Sequence, residues 1–195
     1  MAASDRPRNA LLVIDIQDSF KALPRWEHRN NPAFESNVTR LIAAFRSADA
    51  PIFYFLHGDC DEHFSVSSPH YRLMDFLTPR PDEAILHKTS RNCFTTTNLS
   101  QRLVRMGVGR VTISGIQTEQ CCETTARVAA DLGFEVDFVT EATLTFPIPR
   151  LLQSGGEELG TDAVVERTEY ALRRRFARIC TVDEALAETG VRAIA

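Results

Sequence analysis

A chain of 195 residues, 44% of them hydrophobic, is long enough for one compact domain with a sizeable core and leaves little length for a second. Its 22 Lys and Arg residues against 26 Asp and Glu give a formal net charge of -4, and no Lys/Arg stripe tracks a phosphate backbone, which sets nucleic acid aside as a partner. No stretch approaches the roughly 18 continuous apolar residues of a membrane span, and five cysteines without zinc-type spacing fit a reducing compartment better than a disulfide framework. The expectation is a soluble, cytoplasmic protein with one domain over residues 1–195, residues 1–9 forming a polar leader.

The first apolar run, Ala10 to Ile16 (ALLVIDI), reads as a strand buried on both faces of a parallel sheet. Asp15 stands inside it, where a carboxylate without a partner would be costly to bury. An irregular stretch, Asp18 to Pro32, follows; then Phe34, Val38, Leu41, Ile42 and Phe45 form one apolar helical stripe. Pro51 to Leu56 (PIFYFL) is a second strand, trailed by a second irregular stretch from Gly58 to His70. Ala84 to His87 (AILH) is a third, with Lys88 directly after it. Beyond it come a helix over Asn98 to Met106, a strand over Arg110 to Gly115 (RVTISG), a helix over Glu119 to Leu132 and a strand over Glu135 to Thr140 (EVDFVT). The stretch Phe146 to Gly160 reads as a lid or a surface loop, Thr161 to Phe176 as a helix, and Ala177 to Val182 (ARICTV) as a sixth, less apolar strand.

Strands alternating with helices through right-handed crossovers give a three-layer α/β/α sandwich around a mostly parallel sheet of five to six strands. Ligands of such sheets sit beyond the carboxyl ends of the strands. Asp15, Lys88 and the residues after the fourth strand therefore face the functional edge, with the first two irregular stretches as loops over it. For Asp15 and Lys88, charge alone allows a structural ion pair or a catalytic one.

Cys121 adds a third group. In ISGIQTEQCCETT, Thr118 reads as a helix cap and Cys121 lies in the first turn, where free N–H groups and the helix dipole would lower its thiol pKa. A neighbouring carboxylate could take the proton. Cys122 points about 100° further round and, with Ala126, Ala129 and Ala130, continues a small apolar stripe, so it is assigned to packing. Cys60, Cys93 and Cys180 read as inert buried thiols.

Three segments then resemble the motifs of one family. LLVIDIQDSF resembles an apolar strand ending in Asp-x-Gln with a Phe three positions on; HKTSRNCF resembles a Lys followed six residues later by Phe; and GIQTEQCCETTARVAADLGFEVDFVTEA resembles a Gly-x-x-Thr-x-x-Cys turn opening a helix. In this order, over Leu11 to Ala142, they resemble the isochorismatase-like cysteine hydrolase superfamily, which includes nicotinamidases and N-carbamoylsarcosine amidase. The resemblance implies the fold argued above, a homodimer or homotetramer, and an amidohydrolase that cleaves a C–N bond of a small molecule through a Cys121 thioester. It makes Asp15 the general base and acid and Lys88 the orienting cation. It further implies a cis peptide between Ile116 and Gln117 and an oxyanion hole from the backbone N–H groups of Gln117 and Cys121.

Phe20, Trp26, His57, Arg91 and Phe146 are the candidate substrate contacts, Arg91 for a carboxylate. Nicotinamidases of this superfamily hold a metal after the second strand through an Asp-x-His pair and a later His. Here His57-x-Asp59 reverses that order, and with His63 it makes only a weak ligand set, so no metal or other cofactor is expected. The competing readings are an isochorismatase-type vinyl ether hydrolase, which does not use a cysteine nucleophile, a non-catalytic binding protein and a redox sensor built on Cys121 and Cys122.

Overall fold

The computed structural model describes residues 7–150 and 157–188. Six parallel strands form one sheet: β1 (Arg8–Ile14), β2 (Ile52–His57), β3 (Ala84–Lys88), β4 (Val108–Ile116), β5 (Glu135–Leu144) and β6 (Arg178–Cys180), in the order β3-β2-β1-β4-β5-β6. The helices are α1 (Phe34–Ser47), α2 (Leu99–Arg105), α3 (Glu123–Asp131), α4 (Thr161–Leu172) and α5 (Val182–Glu188). Among the described residues no helix is long and apolar enough to cross a membrane.

The nearly unbroken apolar run of β1 is explained by burial on both sides. Leu11 and Val13 join the core under α1 and α5 with Val38, Leu41, Phe45 and Tyr54, whereas Ala10, Leu12 and Ile14 join Phe55, Leu103, Ile113 and Ala129 under α2 and α3. Strand order reverses between β1 and β4, so the connections leave the carboxyl ends of these two strands in opposite directions and open a crevice there. Gly115 makes the close approach possible: its φ is +134°, and a Cβ would lie 2.1 Å from the Ile14 carbonyl oxygen.

Several expectations are corrected. Arg8 and Asn9 belong to β1 rather than to a leader. Thr118 does not cap a helix: Gln117 holds that position without a side-chain cap, and Thr118–Cys122 form a π-helical turn before α3, with the Thr118 hydroxyl donating to Thr143 Oγ1 at 2.8 Å. In the third irregular stretch Ile148 and Pro149 pair antiparallel with Glu158 and Leu159, while residues 151–156 lie outside the described residues. The helix after β4 ends by Asp131 and α4 by Leu172, and α5 follows β6, unannounced by any apolar stripe. Cys60 is exposed rather than buried.

Four thiols, Cys93, Cys121, Cys122 and Cys180, are buried. Burial pushes all four up, Cys93 and Cys180 to about 12. The folded chain thus keeps protons that the unfolded chain releases above the ordinary thiol value of about 8.5, and stability falls as pH rises through that window. Each thiol contributes a slope of about 1.4 kcal/mol per pH unit, on the order of 5 kcal/mol for four. Urea midpoints measured under reductant should be flat from pH 7 to 8.5 and collapse between about pH 9 and 11; a midpoint unchanged at pH 10.5 would contradict the buried, protonated thiols.

Candidate active site

Asp15 follows β1 with φ +52°, a left-handed conformation that Asp and Asn tolerate better than most residues. The next turn is clamped to β2 by Gln17, whose side chain accepts from His57 N at 2.7 Å and donates to His57 O at 3.1 Å. Lys88 ends β3, two strands from β1, and reaches past His57, its register partner on β2, to place Nζ 2.8 Å from Asp15 Oδ2. Both side chains are fully buried. The ammonium also donates to the carbonyls of Ser90 at 3.1 Å and Arg91 at 3.2 Å, and lies 3.5 Å from Cys121 Sγ. Neither Asp15 oxygen accepts a well-aligned hydrogen bond from the described residues, so the 2.8 Å ion pair is the main compensation for its burial, with the Cys121 thiol as its other neighbour.

The electrostatics reverse one expectation. Burial and then the Asp15 charge push the Cys121 thiol well above the ordinary range, with Lys88 opposing them; the π turn does not yield a standing thiolate. Burial works against the Lys88 charge, yet Asp15 and Cys121 hold its pKa above the usual lysine value. The resting arrangement is a neutral thiol beside a carboxylate and an ammonium, a base poised next to an unspent proton. Cys122 is fully buried in the core under α3, as its stripe suggested.

His57 sits between two cations: Nδ1 is 3.3 Å from Lys88 Nζ and Nε2 is 2.6 Å from Arg91 Nη1, with Asp59 Oδ2 3.4 Å from Nε2. Burial and then Lys88 lower its pKa, so the ring is neutral and accepts at one nitrogen only, for which the Lys88 ammonium and the Arg91 guanidinium compete. A divalent cation does not fit here, because a cationic side chain already stands at each ring nitrogen of His57. His63 packs against His70 instead, and among the described residues no three His, Cys, Asp or Glu side chains converge as a ligand set.

A cavity of about 420 Å³ opens onto Asp15, Cys121, His57 and the side chain of Phe20. A larger cleft of about 680 Å³ lies by Arg110, Glu135 and Arg178, away from Asp15, Lys88 and Cys121; the chemistry selects the smaller one. Of the expected contacts, Phe20, His57 and Arg91 line the cavity. Phe146 and Trp26 do not: Phe146 stacks behind Phe20 at 6.0 Å, and Trp26 packs on Phe146 at 6.3 Å beneath the Arg29 guanidinium. They brace the wall. Sequence reading missed Arg25, Asp61, Phe64 and Gln120 in the lining. Arg25 adjoins the Trp26 that aromaticity singled out, and Gln120 precedes Cys121, but neither carries a signal without the fold. The Ile116–Gln117 peptide is cis, and the Gln117 carbonyl accepts from Gln120 N and Cys122 N, each at 3.2 Å.

The Isochorismatase domain profile matches residues 9–184, which spans β1 to the start of α5 and all the site residues above. The chain belongs to the isochorismatase family. Within that family it is 27% identical over 180 residues to the isochorismatase family protein YrdC of Bacillus subtilis (strain 168), covering 91% of this chain and 94% of the relative. It is 32% identical over 153 residues to Nicotinamidase 3 of Arabidopsis thaliana, covering 70% and 73%. Among solved structures, an isochorismatase-family protein from Chromobacterium violaceum ATCC 12472 superposes with a TM-score of 0.87 at 26% identity, covering 97% of this chain and 99% of that one. The six-stranded parallel sheet flanked by helices is thus the family fold.

Proposed function

We propose that this isochorismatase-family hydrolase cleaves a C–N bond, amide or carbamoyl, of a small molecule through a thioester on Cys121. The observation that carries the reading is the juxtaposition at one cavity of a protonated thiol, a carboxylate and the ammonium 2.8 Å from that carboxylate and 3.5 Å from the sulfur. A cavity of about 420 Å³ suits a small molecule. The similarity to a protein named nicotinamidase supports the amide class.

In this reading the thiol proton passes to Asp15 as sulfur bonds to the carbonyl carbon, and the backbone N–H groups of Gln117 and Cys121 receive the oxyanion. As the C–N bond breaks, Asp15 returns that proton to the leaving nitrogen. Water then gives a proton to Asp15 and its oxygen to the thioester carbon, and Asp15 reprotonates the released sulfur. Lys88 keeps one positive charge beside Asp15 and Cys121, compensating whichever of them is anionic between steps, while the oxyanion carries the negative charge during attack.

The test is acid quenching during turnover of nicotinamide, N-carbamoyl amino acids and ureido acids, with ammonia assay and peptide mass mapping. At least one substrate should leave an acyl adduct on Cys121, and Cys121→Ser should lower ammonia release by about 10³-fold or more. Vinyl ether cleavage retained in Cys121→Ser would overturn the proposal in favour of ether chemistry.

A further inference from the structure

Arg25 lies in the short 3-10 turn Pro24–His28 and lines the cavity that holds Cys121. One face of its guanidinium covers the Phe146 ring, with Cζ 4.9 Å from the centroid. The Gln117 amide, turned so that its nitrogen donates to Glu119 Oε1 at 3.2 Å, accepts from Arg25 Nη2 at 3.2 Å. The group is therefore anchored on two sides, yet no carboxylate among the described residues pairs with it.

Glu119 and Asp61 lie close enough to act on the Arg25 charge, but neither forms an ion pair with it, and both have other partners. Glu119 Oε2 accepts from the Thr145 hydroxyl at 2.5 Å, Asp59 accepts from Asp61 N at 2.8 Å and faces His57 at 3.4 Å, and Asp61 Oδ1 accepts from His63 N at 2.9 Å. The other cavity arginine, Arg91, is committed to His57 Nε2 at 2.6 Å. Arg25 thus has no ion-pair partner among the described residues, whereas Arg91 gives Nη1 to His57 and lies 4.0 Å from Asp59 Oδ2, and Arg25 is exposed enough for a ligand to reach it. A guanidinium offers a planar fork that matches a carboxylate with two parallel hydrogen bonds.

Resting on the amidohydrolase reading, we propose that Arg25 is a specificity-determining residue that binds a carboxylate at the end of the substrate remote from the scissile amide. The substrate class is then an amide or ureide of a short acid. Phe20 and Phe64, which meet edge to face at 5.0 Å, supply the apolar wall for the carbon chain between the two ends.

Binding to the Cys121→Ser protein separates this inference from the chemistry, because no thioester is required. Calorimetric titration would use succinamate, glutaramate and adipamate, each against its uncharged diamide, and 4-aminobutyramide as the cationic comparison. At one chain length the monoacid should bind at least about tenfold tighter than the diamide. That advantage should fall to under about twofold in Arg25→Gln and be partly kept in Arg25→Lys. Equal affinity for monoacids and diamides, tighter binding of the ammonium compound, or an advantage abolished by Arg91→Gln but not by Arg25→Gln would each overturn the assignment. The acyl adduct on Cys121 can be found or missed independently of all these outcomes.

Discussion

Asp15→Asn is expected to lower turnover by about 10³-fold, within the range for loss of a general base, while making Cys121 easier to alkylate at neutral pH. The two effects have opposite signs because the carboxylate does two things to the thiol. In the proposed mechanism it accepts the proton during attack, and while anionic it holds the thiol protonated, adding to the larger effect of burial and acting against Lys88. Asparagine cannot accept the proton, yet it removes the negative charge and leaves the ammonium 3.5 Å from sulfur. The iodoacetamide labelling profile of Cys121 should therefore rise only on the alkaline side in the unaltered protein and shift acidward in the variant. Asparagine also tolerates the +52° φ of this position, so the backbone is not the cause of either change. A variant that labels more slowly, in step with its loss of turnover, would mean that Asp15 sustains a standing thiolate, and the proton-transfer scheme above would fail.

The parallel sheet and the meeting of Asp15, Lys88 and Cys121 were legible because parallel strands leave their carboxyl ends on one edge, where the residues directly after apolar runs come together, whereas the order of the strands was not read. The state of the thiol was not legible either. A first-turn cysteine reads as a thiolate only if the turn is α-helical and open, whereas Thr118–Cys122 is a π-helical turn and Cys121 is 5% exposed, so burial and a neighbouring charge outweigh the dipole. Arg25 escaped notice because a lone arginine in a polar loop has no periodicity; only its placement over Phe146 and against Gln117 distinguishes it from a solvated one. Trp26 shows the converse, an aromatic residue that looked like a pocket wall and proves to be the support behind one. α5 is seven residues long and buries only Val182 and Ala185 deeply, too few positions to declare a period.

Lys88→Met tests whether the ion pair is one coupled unit. Methionine fills most of the lysine's path past His57 without its charge, leaving the fully buried Asp15 with no cation within contact. Breaking a buried pair from one side costs about 3–5 kcal/mol, a large part of the ~5–15 kcal/mol that stabilises a typical domain. Urea unfolding should show a correspondingly lower midpoint with an unchanged slope, and hydrolysis should be lost. Adding Asp15→Asn to Lys88→Met should recover most of that stability, since an amide in place of the carboxylate leaves no net charge to bury, while activity stays absent. The sign of the double-mutant coupling decides the point. If the second substitution deepens the loss, the lysine stabilises the fold through the Ser90 and Arg91 carbonyls, which accept from it at 3.1 and 3.2 Å, and the 2.8 Å contact with Asp15 serves the reaction rather than the fold. If it reverses the loss, Lys88 is there to compensate the buried charge of Asp15, and the pair stands or falls as one unit beside Cys121.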